Sequence, residues 1–158
     1  MRSKDYLCNL GGINLEFIIR ECKIQDYADI VLLNKNEMGY DYPAEDTKIK
    51  LIQLINDSNH KIYVAMVADK AVGYIHANNH DLLYAPHLKN IMGIAVSTDF
   101  RKSGIGKRLL YEVEKWARET GACGVRLVSG ATRTGAHAFY KACGYTGNKE
   151  QKNFRKIL

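Results

Sequence analysis

The sequence predicts an α/β (α+β) chain, and three observations carry that expectation. Runs with strand composition alternate along the chain with segments whose apolar residues fall at helical spacing. The segment 91–119 places a short apolar run, a basic glycine-containing loop and a long amphipathic stretch in direct succession. Clusters of Gly, Pro, Asn, Asp and Ser separate the periodic segments.

At 158 residues and 46% hydrophobic, the chain can bury one sizeable core and is too short to need two. A single domain is expected over 15–158. Residues 1–14 show no clear period and contain Gly11-Gly12, so they are expected to be a flexible lead-in.

Leu15 to Cys22 then has strand composition, and Gln25 to Glu37 reads as a helix with Tyr27, Ile30, Val31 and Asn34 at helical steps. Gly39 is placed to end it, and Pro43 biases Tyr42 towards an extended backbone. Asp46 or Thr47 is suited to cap a second helix, with Ile49, Leu51, Ile52 and Ile55 as its stripe, running to about Asn56. Lys61–Ala68 and Ala71–Ala77 form a hairpin about Asp69-Lys70. The polar stretch Asn78 to His87 reads as a loop over an acceptor, and Leu88 to Val96 as the next strand.

From Ile105 the apolar steps are four, four and three through Leu109, Val113 and Trp116, and Thr120-Gly121 ends that helix. Val125 to Val128 is a further strand, Ala136 to Ala142 a short helix, and Phe154 to Leu158 a closing strand.

No apolar run approaches the roughly 20 residues of a membrane span, so a soluble protein is expected. The N-terminus lacks a secretory layout, since Asp5, Asn9 and two glycines interrupt it. Cys8, Cys22, Cys123 and Cys143 are scattered, with no Cys-x-x-Cys pair and no His at zinc-ligand spacing. They read as free thiols of a reducing compartment, the cytoplasm, with Cys123 and Cys143 as small core residues, and no metal is expected. The net charge of +6 suits a polyphosphate partner as well as nucleic acid. The chain has no interleaving of aromatic and basic residues and no nucleic-acid motif, so nucleic acid is not the expected partner.

The informative loop is Arg101-Lys102-Ser103-Gly104-Ile105-Gly106, between strand and helix. Its glycines allow close backbone approach, and amides at a helix N-terminus favour an anion, above all a phosphate. Arg101, Lys102, Lys107 and Arg108 add positive charge, so the loop reads as a pyrophosphate cradle. A P-loop is excluded because Arg101 and Arg108 stand where Gly and Ser or Thr are required. A dinucleotide fingerprint is excluded because Leu109 stands in place of its third small residue.

The pattern that fits is Arg/Gln-x-x-Gly-x-Gly/Ala after the strand Ile94-Ala95-Val96, which resembles the GNAT superfamily of acyl-CoA-dependent N-acyltransferases. A second stretch, Arg133 to Tyr145, is similar to the family's Asn-x-x-Ala-x-x-Phe-Tyr-x-x-x-Gly-Phe through Ala136, Phe139, Tyr140, Gly144 and Tyr145. Arg133 departs from the usual Asn and suggests another positive group near the coenzyme.

The resemblance implies a mixed, mostly antiparallel sheet with splayed middle strands and about four helices packed on both faces. It implies acetyl-CoA as cosubstrate, held by the backbone of Ile94, Ala95 and Val96, by Arg101 to Lys107, and by Arg133, Ala136 and Phe139. By the same register, Tyr140 donates a proton to the departing thiolate, and a strand amide polarises the thioester carbonyl.

The segment 36–47, with Glu37, Tyr40 and Asp41, is expected to hold a cationic small-molecule amine. Glu37, Asp41 and His76 stand as candidate bases, beside a base acting through ordered water. The resulting function is N-acetyl transfer to a primary amine. An acyl-CoA sensor without turnover, and acetylation of a protein or RNA-linked amine, are the alternatives. A homodimer through the C-terminal strands is compatible with the resemblance.

Overall fold

The computed structural model describes residues 4–10, 12–147 and 149–158. Residues 4–127 of this set belong to one compact unit and 128–158 to a second. The first unit carries a six-stranded sheet in the order β1-β2-β3-β4-β5-β6: Lys4–Leu10, Ile13–Glu21, His60–Val67, Lys70–Leu82, Ala85–Val96 and Val125–Leu127. Neighbours are antiparallel from β1 to β5, and β6 runs parallel to β5.

Five consecutive residues of β3, Ile62 to Met66, are buried, so both faces of the sheet are covered. On one face Ile62, Val64 and Met66 pack with Ile30 and Leu33 of α1 (Tyr27–Leu33) and Leu51 of α2 (Ala44–Ile55). On the other lies α3 (Ile105–Glu119), whose stripe Ile105, Leu109, Leu110, Val113, Trp116 and Ala117 is wholly buried. Period-3.6 burial against period-2 burial makes this packing. The mixed α/β sheet with helices on both faces is the fold the resemblance implies.

Several boundaries differ from the sequence reading. Part of the expected lead-in is β1, paired with β2 from Lys4↔Ile19 to Leu10↔Ile13; Tyr6 packs on Phe17 at a ring separation of 5.4 Å. Residues 1–3 and 11 of that lead-in lie outside the described residues. The first helix ends in a π-helical turn, Asn34–Met38, closed by Gly39 at φ +77. α2 starts at Ala44 after Pro43, so Asp46 and Thr47 lie inside its first turn, where the Thr47 hydroxyl donates to the Pro43 carbonyl at 3.0 Å.

The expected loop Asn78–His87 is instead the far half of the β4–β5 hairpin, with only Leu83 and Tyr84 at the turn. Its polar side chains find partners across the ladder, Asn79 with Lys89 and Asn78 with Asn90. Cys123 is exposed and Cys143 half-buried, so neither is a core residue.

The second unit contains α4 (Thr134–Ala142), two residues longer than expected, ending at Gly144 with φ +88. Phe154 to Leu158 form no strand and are exposed; β composition alone supplies no hydrogen-bonded neighbour.

Candidate active site

The site starts where β5 stops being paired on one side. The β5–β6 ladder ends at Ile91↔Leu127, which leaves Met92 to Val96 without a strand on that edge among the described residues. The Ser97 amide donates to the Val72 carbonyl at 2.8 Å on the β4 side. Successive amides of a strand alternate between its edges, so those of Ile94 and Val96 point to the open edge, while the Ala95 side chain is buried in the core. The opening lies beside the edge strand β6, whereas the splay expected from the resemblance was between middle strands, which stay paired from β1 to β5.

A short turn, Thr98–Phe100, then leads from β5 into the cradle. Lys102 has φ +61 and Gly104 φ +86, and no side chain caps the amides that begin α3. The first turn of α3 holds no acidic residue, and a Cβ at Gly104 would meet nothing within 4 Å. Free amides, positive dipole end and open space suit a diphosphate. Ile105 contributes its amide alone, since its side chain is core. The Ser103 hydroxyl is turned inward, donating to the Phe100 carbonyl at 2.5 Å.

The four cations divide in two. Arg101 is held by Glu37 at 2.6 Å, and the Arg108 guanidinium lies 4.4 Å from the centre of the Tyr6 ring. Lys102 and Lys107 make no ion pair among the described residues and are available to phosphate.

Glu37 is not a free carboxylate. It accepts the Thr98 amide at 2.9 Å, the Thr98 hydroxyl at 2.8 Å and Arg101, and its side chain is 10% exposed. Burial works to raise its pKa, but the two Thr98 bonds and Arg101 outweigh it and hold the carboxyl below the usual range. A carboxylate so engaged is poorly suited to accept a proton, and it fastens the acceptor turn to the segment entering the cradle. Asp41 is exposed and pairs with Lys35 at 3.1 Å.

A cavity of about 320 Å³ is lined by Asn34, Met38, Tyr40, Tyr42, Tyr74, His76, Met92 and Gly93. The sequence reading placed Tyr40 and His76 in the site and left out Asn34, Met38, Tyr74, Met92 and Gly93. Period-2 alternation was the available signal for Tyr74, which shares a face of β4 with His76. Its hydroxyl donates to Asn34 Oδ1 at 2.5 Å, and burial, then Tyr40, pushes its pKa up to about 12.

The His76 ring nitrogen Nε2 is 2.9 Å from His60 Nδ1. Burial, and then His60, pushes the pKa of His76 down to about 4. A register shift between His76 and Ala77, which leaves Met92 as the extra residue of β5, re-aims the strands here.

In the second unit, Arg133 is the N-cap residue of α4, and Ala136, Phe139 and Tyr140 follow on that helix. Tyr140 stacks obliquely on Phe139 at 5.3 Å and on Tyr145 at 6.1 Å. Burial raises its pKa and outweighs the lowering by Arg133, with Cys143 adding to the rise.

A model of the acetyltransferase (GNAT) family matches residues 27–145. The chain belongs to that family. It is an acetyl-CoA-dependent N-acetyltransferase, and the uncapped cradle and open strand edge fit the cosubstrate.

An aminoglycoside N(6′)-acetyltransferase type 1 of Stenotrophomonas maltophilia is 26% identical over 136 residues, covering 83% of this chain and 89% of its own. Solved structures share the fold. The aminoglycoside N-acetyltransferase AAC(6′)-Iy in complex with CoA has a TM-score of 0.82 at 19% identity, covering 94% of this chain and all of its own. The aminoglycoside 6′-N-acetyltransferase AAC(6′)-Ih of Acinetobacter baumannii has a TM-score of 0.79 at 18% identity, covering 90% and 99%.

No helix among the described residues is long and apolar enough to cross a membrane. None of their His, Cys, Asp and Glu side chains group in threes to hold a metal ion.

Proposed function

We propose that the protein acetylates a primary amine of a small, cationic acceptor of aminoglycoside type by direct transfer from acetyl-CoA. The observation that carries this is the tyrosine-lined cavity whose wall, Met92 and Gly93, continues into the unpaired edge Ile94–Val96. An acceptor nitrogen in that cavity meets a thioester laid along the same strand, the proximity direct transfer needs. Tyr40, Tyr42 and Tyr74 offer ring faces and hydroxyls to a polyamine sugar, while Asp41, outside the cavity lining, stays paired with Lys35. The aminoglycoside acetyltransferases among the similar proteins support the same class of acceptor.

The amides of Ile105 and Gly106, with Lys102 and Lys107, bind the diphosphate, and Arg133, Ala136 and Phe139 serve the rest of the coenzyme. An amide of the Ile94–Val96 edge stabilises the charge that develops on the thioester oxygen. Tyr140 donates to the departing sulfur; its raised pKa keeps the phenol protonated at neutral pH. Glu37 is assigned to joining acceptor turn and cradle. The family match, which runs through the division after Leu127, supports residues 15–158 acting as one domain. Thiols such as Cys22 and Cys123, outside any disulfide, suit the cytoplasm.

Thiol release from acetyl-CoA with a panel of aminoglycosides, polyamines and amino acids tests the assignment. An aminoglycoside is expected to support turnover, and Tyr140→Phe to slow it about tenfold or more. Equal rates remove Tyr140 from the chemistry, and no turnover with any cationic amine overturns the acceptor class.

A further inference from the structure

The two rings of a histidine pair line two different cavities. His76 lines the tyrosine cavity, and His60 lines a separate cleft of about 210 Å³ with Glu21, Cys22, Asn56, Asp57 and Lys61. The rings are diagonal neighbours on one face of the β3–β4 ladder, where Ile62 opposes His76 and His60 opposes Asn78.

We infer that His76 is the base that deprotonates the acceptor amine, and that His60 and Asp57 are positioning residues that fix its tautomer and carry the proton out to the second cleft. The inference rests on the tyrosine cavity being the acceptor site.

The tautomers follow from the charges. Asp57 Oδ2 lies 3.9 Å from His60 Nε2, too far for a hydrogen bond but close enough for its charge to favour the hydrogen on that nitrogen and a lone pair on His60 Nδ1. His76 must then donate from Nε2 to His60 Nδ1 across 2.9 Å, which leaves His76 Nδ1 an acceptor with no protein partner among the described residues. The opposite arrangement would aim the His60 Nε2 lone pair at a carboxylate.

In the forward step an ammonium proton moves to His76 Nδ1, the His76 Nε2 proton moves to His60 Nδ1, and the His60 Nε2 proton leaves to solvent beside Asp57. The released amine pair forms the C–N bond, the C–S bond breaks, and the second proton shed by the nitrogen goes to the sulfur, so one proton in all reaches solvent and both rings regain their starting tautomers by exchange with it. Neither ring holds a second proton for longer than the transfer, which suits a His76 whose imidazolium is disfavoured by burial. Around the pair stand Asp57 before β3, Lys61 and Glu21 paired with each other at 2.8 Å, Cys22 after β2, and Tyr40, Tyr42 and Tyr74 on the cavity side.

The test compares kcat and KM of wild type, His76→Gln, His60→Gln and His60→Ala with an aminoglycoside, across pH 5.5–9, with and without added imidazole. The expected result for His60→Ala is a kcat lower by about a hundredfold, KM for acetyl-CoA within about twofold of wild type, and partial recovery with imidazole that His76→Gln does not show. Wild-type turnover with unchanged kcat in both His60 variants at every pH overturns the relay alone. No wild-type turnover of any cationic amine overturns the acceptor reading and the relay with it. Long-range ¹H–¹⁵N spectra of the wild type decide the tautomers independently of any variant: hydrogen on Nε2 of both rings supports the relay, and hydrogen on Nδ1 of either overturns it.

Discussion

At the scale of single residues, the cost of the site is concentrated in His76. A histidine whose pKa falls from an ordinary 6.5 to about 4 binds fewer protons folded than unfolded between those values. Stability therefore falls as pH drops from about 6.5 towards 4, and the loss is absent above 7. The expected size between pH 7 and 5 is on the order of 2 kcal/mol. Urea unfolding of wild type and His76→Gln at the two pH values checks it: the variant's midpoint should move less than that of wild type. Glu37 acts in the same direction at lower pH, since its lowered pKa contributes stability above the ordinary glutamate range that is lost as pH falls through the folded value.

The two residues also show what the sequence could reveal. Glu37 was visible as a carboxylate in a turn beside tyrosines, but its partners Thr98 and Arg101 stand more than sixty positions on, and no local pattern announces them. His76 was visible as a titratable group on a strand; its pairing with His60 needed the β3–β4 register.

At the scale of elements, the segments whose period and turn chemistry agree were legible: α3, Gly39 and Gly121 as helix ends, and the turn between β3 and β4. The β4–β5 hairpin was not, because Asn78 to Asp81 is polar and polar runs read as loops. Its ladder is held from within by Lys89, almost fully buried, which donates to Asn79 Oδ1 at 2.6 Å and His87 Nε2 at 3.0 Å and sits 4.0 Å from the centre of the Trp116 ring. Asp81 accepts from His87 Nδ1 at 2.6 Å, so the buried charge is fully partnered.

The cradle was legible because its chemistry is local. Its weakest position is Gly104, where φ is +86 and open space surrounds the missing Cβ. Gly104→Ala therefore acts through the backbone alone, at about 1–2 kcal/mol of strain. Calorimetry and thermal unfolding should show a Tm lower by a few degrees and coenzyme A affinity lower by about tenfold, because relaxing the strain turns the first amides of α3 away from the ligand. A variant with wild-type affinity would place the diphosphate elsewhere.

At the scale of the whole molecule, charge and cavity chemistry separate the two substrates. The net charge is +6, and Lys102 and Lys107 stand exposed and unpaired beside the start of α3. A polyanionic coenzyme is drawn by that field, which salt screens over roughly 10 Å at 0.1 M. The tyrosine-lined cavity has no Lys, Arg, Asp or Glu in its lining among the described residues, and His76 is neutral at pH 7, so the proposed binding of the amine there leans on ring faces and hydroxyls. Raising salt from 50 to 500 mM is therefore expected to increase KM for acetyl-CoA about fivefold or more, and KM for the amine by less than twofold. Steady-state kinetics at constant pH, with each substrate varied in turn, measure both slopes. Lys102→Gln with Lys107→Gln should flatten the first slope and leave the second, because only the coenzyme meets those side chains; equal slopes in wild type and variant would remove the two lysines from coenzyme binding.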